Sequence, residues 1–494
     1  MRSLLYKSKL KLFPWLTIAI IEVIFFGFIW FISDIRRAGL LDRFFLYQAD
    51  DIFRYCHVKI LLSNPIVVLN YYCKIGYMLI AGLFYNILPF GMSSLRIMNV
   101  LFSGGIIILI YKLTRQLSFT RFASYLAMVL LVTFPVYFLL SLSTLSEVMY
   151  SFFFILAIYL LYREKYSLSV LVIVFLPLIR QEGLLYVFTW IILLRKQIKV
   201  KHLFVFFLPT LLWILLNWQL LGHSFSKFIF YLPVKGPGNS MASFQDLGHL
   251  IIILVIHPLV ILSGIGIWIT FNNRKYRLLK ICFITQIIFL IIFQILHFLD
   301  LNGKFCKEVR IFMPLVPLAA IYAAKSIDEL SFRYNLGNKL FLAGVTSLLV
   351  IIAGFQISQL QRDPAVIKDS LSVQQEDLVK GASDWLDVYM RQENITKASI
   401  VPGALITDKI IRRIWMYLPG CVDFYADGDE EMSILNNAVF DFAVLKTINL
   451  PKNIKCIFIS KDKLKVSALS CNPRIDLIKS YLDIPLYFYL VEYN

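Results

Sequence analysis

The sequence predicts an α-helical polytopic membrane protein of about eleven spans, followed by a small water-soluble α/β domain. Three observations predict it. Of 494 residues, 59% are hydrophobic and only 16% charged, with a mean hydropathy of +0.73. A soluble domain carries about 25% charged residues, so this chain has too few to coat a water-facing surface. Its apolar residues fall in repeated runs long enough to cross about 30 Å of hydrocarbon. Composition then changes abruptly near residue 360, with 33 basic and 13 acidic residues before it and 16 and 18 after it. These features exclude a soluble enzyme, a disordered chain and a disulfide-stapled secreted scaffold.

The first element is the run from Pro14 to Ile32, preceded by Arg2, Lys7, Lys9 and Lys11. It is long for a signal peptide, and Ser33-Asp34-Ile35-Arg36-Arg37 follows in place of a small-residue cleavage site. We read it as an uncleaved span with a cytoplasmic N-terminus. Further runs lie at 75–90, 96–111, 122–140, 148–161, 168–194, 203–221, 250–271, 281–299, 311–324 and 340–357. The basic loops 112–121, 195–201 and 274–280 all belong on the cytoplasmic side if 75–90 lies on or re-enters the outer face. The same placement requires 168–194 to be two short helices, broken near Pro177 and Gly183. Arg180-Gln181-Glu182 then occupies an outer turn, where charge is solvated. The topology places residues 1–359 in the plasma (inner) membrane, with a long outer loop over 34–95. Residues 360–494 form the extracytoplasmic domain. The net charge of +18 is chiefly a topogenic signal in cytoplasmic loops, and no nucleic-acid partner is needed to explain it.

In the C-terminal part, short β-rich runs (399–401, 422–425, 440–445, 454–459 and 486–491) alternate with helical patterns at 374–389 and 408–417. None of the seven cysteines has metal-ligand spacing. Asn394-Ile395-Thr396 is a glycosylation sequon, and the Gly/Pro-punctuated loop 222–249 reads as a flexible segment.

Two places suggest chemistry. Asp50 and Asp51 are adjacent acids in the long outer loop; such a pair can supply a general base and a metal ligand, or it can cap a helix and be satisfied by Arg54. Glu147 is a lone acid opening the 148–161 run. An ionisable group at that depth is a functional candidate, although acids also favour helix N-termini.

With their flanks, these segments resemble the GT-C superfamily of integral-membrane glycosyltransferases, which use polyprenyl-phosphate sugar donors. Ala49-Asp50-Asp51-Ile52-Phe53-Arg54-Tyr55 looks like the family's first-loop acidic motif. Ser94-Leu95-Arg96-Ile97-Met98-Asn99 is similar to the start of its second span. Thr144-Leu145-Ser146-Glu147 resembles the second-loop acidic motif, and Leu178-Ile179-Arg180-Gln181-Glu182-Gly183-Leu184 a later one, with Gln181 where proline is usual. Lys307-Glu308-Val309-Arg310-Ile311-Phe312-Met313-Pro314 resembles the basic-aromatic-proline motif of the mannosyltransferase and lipid-A-modifying branches. The motifs follow the family's order along nearly the whole chain.

The resemblance implies transfer of a sugar from a polyprenyl-phosphate donor to a lipid, glycan or protein hydroxyl at the outer face, by inverting single displacement. Asp50 would be the general base, with Asp51 beside it. Arg310, Lys307 and Arg180 would bind the donor phosphate. Glu147 would bind a sugar hydroxyl or, with Asp51, a divalent cation (Mg or Mn) if the reaction uses one. The acids are adjacent where the family often has D-x-D. A snorkelling Lys307–Arg310 cluster, and an Arg180–Glu182 pair stitching two short helices, are the plain structural alternatives. A lipid-glycan flippase would instead need charges in mid-span along a path, which are few here. A glycan polymerase or ligase usually lacks the soluble domain.

Overall fold

The computed structural model describes residues 74–88, 90–195, 200–221, 241–242, 257–300, 305–306, 309–334, 373–392, 398–400, 455–460, 473–481 and 486–493. Single residues from 20–27, 54–61 and 344–356 are also described. Asp50, Asp51 and Lys307 lie outside this set, as do most of the loops 34–95 and 222–249.

The expected apolar runs form helices where they are described; most of 14–32, the start of 250–271 and most of 340–357 lie outside the described residues. The helices are α1 (Ile75–Ile87), α2 (Met92–Gln116), α3 (Arg121–Thr133), α4 (Pro135–Ser141) and α5 (Ser146–Tyr162). The 168–194 run becomes three pieces rather than two: α6 (Tyr166–Ile173), α7 (Leu176–Ile179) and α8 (Gly183–Leu193). There follow α9 (Val200–Leu221), α10 (Pro258–Thr270), α11 (Arg277–Asp300) and α12 (Leu315–Tyr334).

The breaks have local causes. Pro135 opens α4, and Phe134 before it is held extended (φ −70°, ψ 120°), so α3 and α4 bend by 69°; a residue before proline is biased out of the helical region. The expectation of one run at 122–140 therefore becomes a bent pair. His257 packs edge-on against Phe134 at that bend, ring centroids 5.2 Å apart, and its Nδ1 accepts the Leu259 amide at the start of α10. At Gly266, an added Cβ would lie 2.0 Å from the Tyr322 carbonyl oxygen, so only glycine lets α10 approach α12 there. Ser326 on α12 donates to the Leu262 carbonyl at 2.6 Å across the same crossing. In the middle of the bundle, Trp190 of α8 donates to Ser169 Oγ of α6, which donates to the Ala157 carbonyl of α5, both at 2.8 Å. These bonds satisfy polar groups that lipid could not.

Apolar side chains also cover the outside of α9–α11: Leu211, Leu215, Ile261, Ile291 and Ile292 are exposed. A water-facing surface would not carry such faces, and together with the apolar helices they fit a polytopic membrane protein. Among the described helices, Met92–Gln116 and Arg274–Ile295 are each long and apolar enough to cross alone, and the bent α3–α4 pair makes a third candidate. One charge was passed over in the sequence: Glu22, within the first run, has its carboxylate packed on Gly104 of α2.

Beyond the bundle, α13 (Val373–Gln392) is followed by a four-stranded sheet, β3 (Ala398–Ile400), β4 (Lys455–Ser460), β5 (Pro473–Tyr481) and β6 (Leu486–Tyr493). We number it after the two-residue ribbon β1 (Met241–Ala242) and β2 (Phe305–Cys306). Strand order is β3-β4-β6-β5, with β3 and β4 parallel and the other pairs antiparallel. The sequence reading missed β5, whose Arg474, Asp476 and Lys479 interrupt its apolar pattern. The expected strands at 422–425 and 440–445 and the helix at 408–417 lie outside the described residues.

Candidate active site

The site is built at the end of the bundle where α2 and α5 begin. Glu147 sits in the first turn of α5 and is 1% exposed. Leu145 precedes the helix and makes no side-chain cap, and the Glu147 carboxylate in the first turn is engaged by arginine. Its Oε1 accepts from Arg180 Nη1 at 2.5 Å, and Arg310 Nε stands 3.7 Å from the same oxygen. Buried Arg54 adds a third positive charge acting on Glu147. Glu147 Oε2 is buried and has no hydrogen-bond partner among the described residues.

Arg180 and Arg310 are each delivered by a different break in the helices. Arg180 follows α7 in extended conformation (φ −148°, ψ 139°). The chain then doubles back so tightly that a Cβ on Gly183 would lie 2.4 Å from the Leu176 carbonyl carbon and the Pro177 nitrogen. In that turn Arg180 donates from Nε and Nη2 to Glu182 Oε1, at 3.3 and 2.7 Å, while Nη1 reaches Glu147. The guanidinium fork is thus shared between two carboxylates. The Arg180–Glu182 pair that the sequence offered as the plain structural alternative is present, and Arg180 also holds Glu147. Burial by itself would depress the Arg180 guanidinium, but the two carboxylates outweigh it and hold the group charged. Arg310 comes from the 3₁₀ turn Val309–Phe312, just before α12.

Two neutral residues that the sequence did not single out as site residues brace this arrangement. Asn99 of α2 is fully buried; its Nδ2 donates to the carbonyls of Ser143 at 2.7 Å and Leu145 at 2.8 Å. Tyr77 of α1 donates to the Thr144 carbonyl, and the Arg54 guanidinium carbon lies 5.2 Å from the Tyr77 ring centroid. Between them they fix the 143–145 turn that presents Glu147. A signal existed for Asn99, the last residue of the second-span motif, but none for Tyr77. Lys74 is a further buried cation, 5.1 Å from the Trp213 ring centroid. The ribbon pairs Met241 with Cys306 and Ala242 with Phe305, tying residues 241–242 to 305–306.

Asn99→Asp keeps the side chain's shape but replaces both donors with acceptors facing carbonyls. Losing buried hydrogen bonds of this kind costs about 1–3 kcal/mol, so thermal unfolding in detergent is expected at a lower temperature, with Asn99→Gln closer to wild type.

Among the described residues no group of three or more His, Cys, Asp or Glu stands together. Glu147 keeps company with arginines, which repel a divalent cation. The structure brings Glu147, Arg180 and Arg310 together, and adds Arg54.

With this geometry in view, comparison with solved structures is informative. The chain matches ArnT from Cupriavidus metallidurans bound to undecaprenyl phosphate with a TM-score of 0.61 and 11% identity, covering 95% of this chain and 97% of that one. This chain has the ArnT fold. The apo state of the same ArnT matches with a TM-score of 0.61 and 12% identity, over 96% of this chain and 97% of that one. No protein-family model and no curated protein sequence matches. The shared ArnT architecture extends from end to end, while sequence identity is too low to carry residue roles across.

Proposed function

We propose that this chain is a polyprenyl-phosphate-dependent glycosyltransferase of GT-C type that transfers a sugar to a lipid, glycan or protein hydroxyl at the outer face of the membrane. The single observation that carries the reading is the grouping of Arg54, Arg180 and Arg310 around one buried carboxylate. The ArnT fold, solved with undecaprenyl phosphate in one of its structures, supports it. About eleven spans, a cytoplasmic N-terminus and an outer C-terminal domain belong to the same proposal.

Charge balance shows what the site suits. Three guanidinium groups face Glu147 and Glu182, leaving one positive charge uncompensated among these five groups. A sugar phosphodiester carries one negative charge and completes the balance. As the glycosidic C–O bond to phosphate breaks, the leaving phosphate gains negative charge, and arginines already in place stabilise it without reorganising. Bidentate guanidinium contacts suit phosphate oxygens. We assign Arg310 and Arg180 to the donor phosphate, with Lys307 meeting the developing second charge.

Glu147 then serves as the anchor that holds the arginines apart and aimed. Asp50 takes the proton from the acceptor hydroxyl as its oxygen attacks the anomeric carbon from the face opposite the phosphate. Inversion needs one base and no covalent carboxylate. Arg54 lies three residues beyond Asp51 in sequence, so the acidic pair belongs to the segment that contributes Arg54 to the site. Since Glu147 is committed to arginine, any divalent cation would be held by Asp51, leaving Asp50 free as the base.

The cellular test is mass spectrometry of lipid-linked sugars. Cells lacking the protein should accumulate one polyprenyl-phosphate sugar, and wild-type protein should clear it while Arg310→Ala does not. An unchanged lipid-linked sugar profile in cells lacking the protein would overturn the proposal.

A further inference from the structure

The opposite end of the bundle carries a second concentration of charge, which the proposed reaction does not use. α2 sets the separation: from Arg96 near the Glu147 end to Gln116 at the other is about 30 Å at 1.5 Å per residue, a full hydrocarbon thickness.

Four segments converge there and are bonded to one another. Gln116 Nε2 donates to the Tyr162 carbonyl at 2.5 Å, and Tyr162 Oη donates to the Lys275 carbonyl at 2.9 Å. Lys275 Nζ donates to the Leu117 carbonyl at 2.8 Å, and the Thr120 amide donates to Asp328 Oδ1 at 2.7 Å. Residues 112–121, 163–165, 274–280 and 325–329 thus form one surface, with ten basic residues and three acidic ones.

The acids are largely spent within the fold. Asp328 caps Thr120, and Lys325 pairs with Glu329 at 3.3 Å and Asp328 at 4.0 Å. Arg163, Arg274 and Arg277 are exposed, and their guanidinium groups enter no hydrogen bond or ion pair with a described residue. Beside them, Trp268 is 83% and Phe271 64% exposed, and Lys280 Nζ sits 5.7 Å from the Phe271 ring centroid. Exposed aromatic rings at this level are suited to the boundary between acyl chains and headgroups.

We propose that this collar is a binding surface for anionic phospholipid headgroups of the adjoining leaflet. The phosphodiester supplies the negative charge that the collar lacks, in the form that guanidinium groups engage through paired N–H donors. The rings of Trp268 and Phe271 lie against the glycerol and upper acyl region. A bonded collar presents its arginines together, whereas separate basic loops would each meet lipid alone.

The test is native mass spectrometry of the full-length protein in detergent, given equal amounts of phosphatidylglycerol and phosphatidylcholine. Wild type is expected to retain phosphatidylglycerol in preference by about fivefold or more. The triple variant Arg163→Gln, Arg274→Gln, Arg277→Gln should show a preference reduced to about twofold or less, and the corresponding lysine variant should keep most of it. Equal retention of the two lipids by wild type, or a full preference in the glutamine variant, overturns the proposal. Should the glutamine variant not fold, wild type at rising ammonium acetate decides. An electrostatic collar must lose its preference as salt screens it, and a salt-insensitive preference overturns the proposal equally.

Discussion

Glu147→Gln is expected to lower the turnover of sugar transfer about 100-fold, while the Michaelis constant for the donor stays level or falls. The split follows from the charges. Removing the carboxylate takes one negative charge from a site that already holds three guanidinium groups, so attraction for an anionic donor does not weaken. Orientation is what fails. Arg180 retains Glu182 at 2.7 Å, but Arg310 loses the carboxylate oxygen 3.7 Å from its Nε, and the two guanidinium groups repel each other without a shared partner. Breaking one side of a buried ion pair costs about 3–5 kcal/mol, so the variant should also unfold at lower temperature. Steady-state kinetics with a fixed acceptor and varied donor separate the cases. A raised Michaelis constant with unchanged turnover would mean that Glu147 binds the donor's sugar and does not organise the arginines.

Asp50→Asn is expected to have the larger effect, a loss of about 10²–10⁴ in turnover. An amide has the carboxylate's shape and no basicity, so acceptor and donor still bind while the hydroxyl keeps its proton. Asp51→Asn should cost less, because its carboxylate stands beside the base and is not itself the proton acceptor. Measuring both variants at one donor concentration orders the pair. Equal and small losses would remove Asp50 from the base's role and return the pair to capping a helix beside Arg54.

Much of the bundle was legible because its signals are local. Apolar runs mark helices, and Pro177 and Gly183 mark the break that delivers Arg180, whereas the bend at Pro135 falls inside what the sequence reads as one run, 122–140. The charged members of the site were legible for a related reason: an acid or arginine bordering an apolar run is conspicuous against its surroundings. What bonds them is not local. Glu147, Arg180 and Arg310 come from three separate parts of the chain, and nothing in their flanks shows that Arg180 divides its fork between Glu147 and Glu182. Tyr77 is a neutral residue inside a helical run, so only its bond to the 143–145 turn marks it out; Asn99 closes the second-span motif, but its part in bracing that turn is seen only in the bonds it makes. β5 was missed for the converse reason. Arg474 and Asp476 alternate with its apolar residues and a bulge between Leu477 and Lys479 shifts the pattern, and a strand with one polar face carries a weak apolar signal.

The central claim is that the arginines around Glu147 receive a phosphate leaving group from a lipid-linked sugar. Its most direct test is the chemistry itself. Purified protein in proteoliposomes, given polyprenyl-phosphate sugars extracted from its own host and the host's acceptor lipids and glycans, should release free polyprenyl phosphate in step with the appearance of glycosylated acceptor. Arg310→Ala should abolish both signals together. Acceptor glycosylation with no release of polyprenyl phosphate, or release that Arg310→Ala leaves unchanged, would contradict the account.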